Sequence, residues 1–405
     1  MTTSGLPDSF NSETAYQKSQ QKSVVKSSQR FRHYNLLFLA VVSIPLLAVG
    51  LFNWAIDPYG VFNSPEIIGI NQAKPEKLKN GRLFKAVDIT RIKPTTIFLG
   101  SSRTEYGLDP KHPALKNSQP AYNSALGAAT PYELFRYLEH AIVNQPELEL
   151  VILGLDEFMF NELNKEGTGL SESRLEKRHL TIQDGINASL SIQALQASQN
   201  TISLSKKFPE YRSFTQEGQL NLRQIDRDRS ATKYRFERST SIYFNAFPEY
   251  KLSQQYLTYL QKIVDLCREK DIELHIFISP AHAARLQIID KAGHWQMYEQ
   301  MKREIVNITP VWDFSGYNSI TTEKINNDMQ NYIDESHYRK QVGDLVINRI
   351  LSYQTEEVPQ DFGVLITPQN IEEHLQKIRS EKVVWSNNNP DAVELVRKVY
   401  LQSKK

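Results

Sequence analysis

The chain has 405 residues, enough for two or three globular units at a loose ~150 residues each and so for a sizeable core. Lys and Arg number 48 against 46 Asp and Glu, a net charge of +2, which leaves no overall field to gather nucleic acid, and no nucleic-acid partner is expected. The one cysteine, Cys267, excludes an intramolecular disulfide framework, a Cys-based zinc site and an iron–sulfur centre.

Residues 1–33 are rich in Ser, Gln, Lys and Thr and read as a disordered arm, because they carry too little apolar surface to offset the entropy of folding. Residues 34–56 hold no charged side chain, and a helix of that length reaches about 34 Å, enough for a bilayer core. Tyr34 and Trp54 stand near its two ends, where amphipathic aromatics are favoured, and Lys18, Lys22, Lys26, Arg30 and Arg32 precede it. By the positive-inside rule the N-terminus is cytoplasmic and everything after Asp57 is extracytoplasmic, on a single-pass protein of the cell membrane. The competing reading is a cleaved signal peptide, for which Ala48-Val49-Gly50 offers a small-x-small site, although both the leading region and the apolar stretch are long for a signal.

After a linker over 57–92, short apolar runs alternate with amphipathic helices, the pattern of a parallel sheet covered by helices on both faces. The runs are 95–99, 151–155, 274–279 and 311–314, with 121–126 as a weaker member, which predicts a five-stranded, mostly parallel sheet in an α/β domain over 93–353. Thr130-Pro131-Tyr132-Glu133 is a capping box with proline at the first helical position. Tyr256, Leu260, Ile263 and Cys267 make a helical stripe, which assigns Cys267 to the core. Residues 161–250 are mostly polar and too long for a loop, so they form an inserted subdomain, and 354–405 reads as a helical appendage.

In an open parallel sheet, ligands meet the carboxyl ends of the strands. The first run ends in Gly100-Ser101-Ser102-Arg103, the third in Gly154-Leu155-Asp156-Glu157, and Asp334-Glu335-Ser336-His337 precedes a late helix. A serine needs a base to accept its proton during attack, and the base needs a partner that sets its tautomer; an Asp three residues before a His can supply both. His282, after the fourth run, reads as a solvated loop residue. No His-Glu-x-x-His, Walker loop, dinucleotide glycine fingerprint or Gly-x-Ser-x-Gly elbow occurs, which argues against metalloprotease, NTPase, dehydrogenase and ordinary α/β-hydrolase chemistry; neither metal nor cofactor is expected.

Across about 93–353 these blocks resemble the SGNH, or GDSL-like, hydrolase superfamily. The resemblance implies a flavodoxin-like three-layer α/β/α sandwich, with Ser102 as nucleophile, His337 as base and Asp334 as its orienter. Tyr122-Asn123-Ser124-Ala125-Leu126-Gly127 is similar to the second block, whose glycine amide, here Gly127, joins the nucleophile's own amide in the oxyanion hole. Where many members have Gly-x-Asn-Asp, this chain has Asp156 and Glu157, and a carboxylate there would repel a developing oxyanion. Pairing of Arg103 with Asp156 would cancel that charge and leave Asn123 and backbone amides as donors. An anchored N-terminus with Gly-Ser-Ser and Asp-x-x-His also resembles a narrower branch, the membrane-tethered proteins that O-acylate cell-surface polymers, as in alginate acetylation and teichoic-acid D-alanylation. It implies an esterase or O-acyltransferase acting on an extracytoplasmic polysaccharide, with a polytopic membrane acyltransferase as partner. The alternative is a non-catalytic glycan-binding or assembly component, a reading that Asp156 favours.

Within the insertion, Arg223, Arg227, Arg229, Lys233, Arg235 and Arg238 are interleaved with aromatic residues such as Tyr234 and Phe236. Cations with aromatic platforms suit an anionic glycan; the same pattern also makes a solvated helix face beside a packing cluster.

Overall fold

The computed structural model describes residue 1 and residues 10–221 and 231–404. Its first element, α1 (Phe10–Ile56), starts well before Tyr34, so the backbone of 10–33, expected to be disordered, continues the helix. The stretch Phe31–Ile56 is long and apolar enough to cross a membrane, and none of its most apolar window is buried against the rest of the protein. No other stretch among the described residues meets that description.

Next come α2 (Gly81–Ile92), β1 (Thr96–Leu99), α3 (Ser102–Gly107), β2 (Ala121–Asn123), α4 (Pro131–Asn144) and β3 (Leu150–Leu155). The insertion contributes α5 (Glu172–Leu175), α6 (Ile182–Leu190), α7 (Ile192–Lys207) and α8 (Thr232–Ala246). The chain then forms α9 (Gln254–Glu269), β4 (Glu273–Ile278), α10 (Ala283–Lys291), α11 (Trp295–Ile308), β5 (Val311–Asp313), α12 (Lys340–Ile350), β6 (Val364–Ile366), α13 (Ile371–Asn388) and α14 (Pro390–Ser403).

The sheet has six strands in the order β2-β1-β3-β4-β5-β6, all pairs parallel except β5 with β6. The expected five strands are therefore joined by a sixth, antiparallel edge strand drawn from the presumed C-terminal appendage. That strand leaves no apolar run in the sequence because it is three residues long and half-exposed. The appendage is not peripheral: Ile371, Leu375 and Ile378 of α13 and Val396 and Val399 of α14 enter the main core. Nor is 57–92 wholly a linker, since Ala86 and Ile89 of α2 are fully buried beside α4.

β1 and β3 are buried along their whole length, which explains their lack of polar alternation. Ile97 and Leu99 enter one core cluster and Phe98 another, the period-two alternation that packs both faces of a strand. Thr130 caps α4 as its sequence predicts, with Thr130 Oγ1 accepting from the Glu133 amide while the Glu133 carboxylate accepts from the Thr130 amide. Cys267 lies in the core, where burial pushes its thiol up to about 12. The chain runs outward from β1 to β2 and then returns past β1 to β3. The carboxyl ends of β1 and β3 thus flank the switch point, the place where a doubly wound sheet opens a crevice.

Candidate active site

Ser102 is the first residue of α3, three positions after the last residue of β1. The two adjacent serines diverge there. Ser101 is the N-cap, its Oγ accepting from the Arg103 amide at 3.0 Å and donating to Asp156 Oδ2, while Ser102 points the other way. The turn before them depends on Gly100, whose φ is +151° and whose added Cβ would lie 2.3 Å from Thr104 Oγ1.

Ser102 Oγ lies 2.9 Å from His337 Nε2, and His337 Nδ1 lies 2.9 Å and 3.0 Å from the two oxygens of Asp334. This network assigns the proton of the neutral ring to Nδ1, where it bonds Asp334, and leaves Nε2 to accept from the serine. The Asp-x-x-His segment precedes α12 as expected and forms a tight turn, closed by the Ile333 amide donating to the His337 carbonyl and by a bridge between Tyr332 and Tyr338. Asp334 Oδ1 also accepts from the amides of Ser336 and His337, which locks the carboxylate beneath the ring. Burial works against charge on both partners. It is outweighed at Asp334 by His337 and those amides, which hold the carboxyl below its usual range, and at His337 by Asp334, which raises the imidazole.

Two candidate oxyanion donors are at hand. The Ser102 amide lies in the unpaired first turn of α3, and the Gly127 amide donates to no protein group among the described residues. Leu126 N bonds the Gly100 carbonyl and Ser124 N the Phe98 carbonyl, which ties the Gly127 loop to the end of β1. Asn123 does not serve as expected: its Nδ2 donates to the Thr104 and Leu108 carbonyls and its Oδ1 accepts from the Ala125 amide, so the side chain is consumed in fastening β2 to α3.

Beneath the triad lies a buried ion network. Arg103 bonds Asp156 at 2.8 Å, Glu157 at 2.9 and 3.2 Å, and Ser336 Oγ at 2.9 Å. Arg285, near the start of α10, reaches Glu157 at 2.6 Å and Glu335 at 3.1 Å. The expected Arg103 to Asp156 contact is present, and the guanidinium is committed on every side. Burial disfavours the charge of Glu157, but the two arginines hold its carboxyl down at about 2. Glu335 behaves oppositely: burial and the neighbouring Asp334 raise it to about 7, and its Oε2 is buried with no hydrogen-bond partner, a position a full charge tolerates poorly. Two arginines thus face Asp156, Glu157 and a third carboxyl, that of Glu335, which titrates near neutral pH.

Tyr106, Arg285 and Glu335 escaped the sequence reading. The signal for Tyr106 was its place one turn after Ser102 on α3; its ring packs on the His337 ring with centroids 4.7 Å apart. His282 is not a solvated loop residue. It is fully buried, with Nε2 bonding the Glu323 carbonyl and Nδ1 accepting from Ala284 N, and burial lowers it to about 4. Of the basic cluster, Arg223, Arg227 and Arg229 lie outside the described residues; Lys233 and Arg238 are exposed on α8 and Arg235 is half-buried there. Ser239 of α8 donates to Glu335 at 3.0 Å, so this helix runs beside the triad turn. Among the described residues no group of three His, Cys, Asp or Glu side chains is arranged to hold a metal ion. Compared with known proteins, the chain matches no family model and no curated protein.

Proposed function

We propose that the protein is a membrane-anchored serine O-acyltransferase or esterase that acts outside the cytoplasm on a cell-surface or exported polysaccharide, within a three-layer α/β/α fold of the SGNH-like kind. The observation that carries this reading is the continuous hydrogen-bonded chain from Ser102 Oγ through His337 to Asp334, beside two candidate donor amides at the switch point of the sheet. In this mechanism Ser102 Oγ attacks the acyl carbonyl carbon while its proton passes to His337 Nε2, and Asp334 balances the imidazolium. The amides of Ser102 and Gly127 receive the oxyanion. Collapse expels the donor alcohol with the proton from His337. A sugar hydroxyl or water, deprotonated by His337, then takes the acyl group and frees the serine. Asp156 stays out of this chemistry because its charge is spent on Arg103 and Ser101.

The choice of polymer rests on the resemblance and on α8, which bonds the triad turn through Ser239 and exposes Lys233, Tyr234 and Arg238. A polytopic acyltransferase would deliver the acyl group from across the membrane. The test is labelling of the purified full-length protein by a fluorophosphonate, followed by turnover of O-acetylated glycans against lipid esters. Labelling of the native protein and none of Ser102→Ala is the expected result. No labelling of either would turn the reading towards a glycan-binding component, and equal labelling of both would assign the nucleophile elsewhere.

A further inference from the structure

The polar insertion has its own relation to the anchor. α6 docks on the last turns of α1: Asn53 Nδ2 donates to the Ser189 carbonyl at 2.8 Å, and Asn53 Oδ1 accepts from Ser198 of α7. A methyl placed on Gly50 would lie 3.0 Å from Leu190 Cδ2. Gly50 is six residues before the end of the apolar stretch, so Leu190 stands about 9 Å inside it along the helix axis.

The faces of α6 are inverted relative to a helix in water. Asp184 faces the protein, paired with Arg174 at 2.8 Å, and Ala188 is buried in a satellite core with Val61, Phe84 and Val87. Ile182, Ile186 and Leu190, at the i, i+4, i+8 spacing of one stripe, face outward, with Ile182 83% exposed, and Ile192 follows at 73%. Gln183 and Asn187 flank the stripe and bond each other at 3.0 Å. On another side of the helix end, the turn 67–70 is fastened by Asn71, whose Nδ2 donates to the Ala55 and Pro65 carbonyls. That turn holds Ile67, Ile68 and Ile70 outward at the level of Trp54, itself half-exposed. Apolar side chains clustered around one helix end are costly in water and favourable in lipid.

We infer that the outer domain is seated in the bilayer rather than hung above it: α6 lies in the membrane interface with Ile182, Ile186 and Leu190 among the acyl chains, and the turn 67–70 completes an apolar collar around the exit of α1. The occupant is lipid, because the stripe is continuous with the apolar surface of α1 and lies at its depth. The inference rests on α1 being in the membrane, and the test separates the two.

Single cysteines in a Cys267→Ala background, at Leu39, Ile182, Ile186 and the exposed Lys398, would carry the environment-sensitive fluorophore NBD on the full-length protein. The protein is placed in phosphatidylcholine nanodiscs with and without lipid spin-labelled near the carbonyl end of the acyl chain. Leu39 reports the anchor, and Lys398 reports water. The expected result is blue-shifted emission at Ile182 and Ile186, with quenching at least about half that at Leu39 and none at Lys398. Quenching at Leu39 with water-like signals at Ile182 and Ile186 would overturn the seat and leave the anchor standing. Absence of quenching at Leu39 would overturn both.

Discussion

The triad and the ion network below it are built from neighbouring residues yet live in different surroundings. His337 and Asp334 keep 21% and 13% of their side-chain surface, whereas Arg103, Asp156, Glu157, Arg285 and Glu335 keep 6% or less. Ser102 precedes Arg103, and Asp334 precedes Glu335, so at each segment one side chain turns to the surface and the next turns inward. The difference separates two tasks. In the proposed mechanism the groups that exchange protons with a substrate must be reachable; the groups that hold those segments in place are dry and paired with one another, with Glu335 the one member left with an unbonded oxygen.

The sharpest division to test is between activity and stability. Replacing Ser102 or His337 by Ala is expected to lower esterase turnover by roughly 10⁴-fold or more, with Asp334→Asn costing on the order of 10⁴-fold, while urea unfolding of the Ser102 variant stays within about 1 kcal/mol of the parent. Loss of stability without loss of turnover would erase the division. Arg103→Met is expected to do the reverse job first: it leaves Asp156 and Glu157 buried without their shared cation and costs about 3 to 5 kcal/mol in urea unfolding. Arg103→Lys should recover only part of this, because an ammonium cannot span both carboxylates.

Proton binding sharpens the contrast further. By NMR titration, His337 is expected above its ordinary value in the parent, because Asp334 overcomes the effect of burial; in Asp334→Asn burial prevails and the midpoint should fall below that value. The acid limb of turnover should follow the parent titration, since the base must be neutral to act. A His337 that titrates alike in both proteins would contradict the contact. The smallest effect belongs to Glu335. Its folded value of about 7 lies above that of an unfolded glutamate, so its contribution to stability is complete below about pH 4.3 and is lost as pH rises through about 7. Between pH 6 and pH 8 this amounts to about 1 kcal/mol, and Glu335→Gln should flatten that part of the stability curve.

Much of the architecture was legible because it rests on local signals. Strands buried on both faces write themselves as unbroken apolar runs, and the capping box at Thr130 announces α4. Short elements with exposed faces, such as β6, leave no such trace, and helices α13 and α14 looked like an appendage because their charged outer faces dilute the apolar residues that reach the core. At the site, the Gly-Ser-Ser and Asp-x-x-His blocks were visible as motifs. Arg285 and Glu335 were not, since a residue that acts through a contact with a distant segment carries no pattern of its own, and Tyr106 was marked only by its place one turn after Ser102.

Residue order alone determined which groups could react and that one apolar stretch precedes the folded domain; that Ser101 caps α3 while Ser102 faces His337 came from the fold. Only the tertiary structure decided that Ser102 and His337, 235 positions apart, come to 2.9 Å. It likewise decided that the carboxylate of Asp156 is neutralised by Arg103 and that Asn123 is spent on backbone carbonyls. The physical reason is that pairing energies depend on distance and burial, and both are properties of where the sheet places its strand ends rather than of any one stretch of chain.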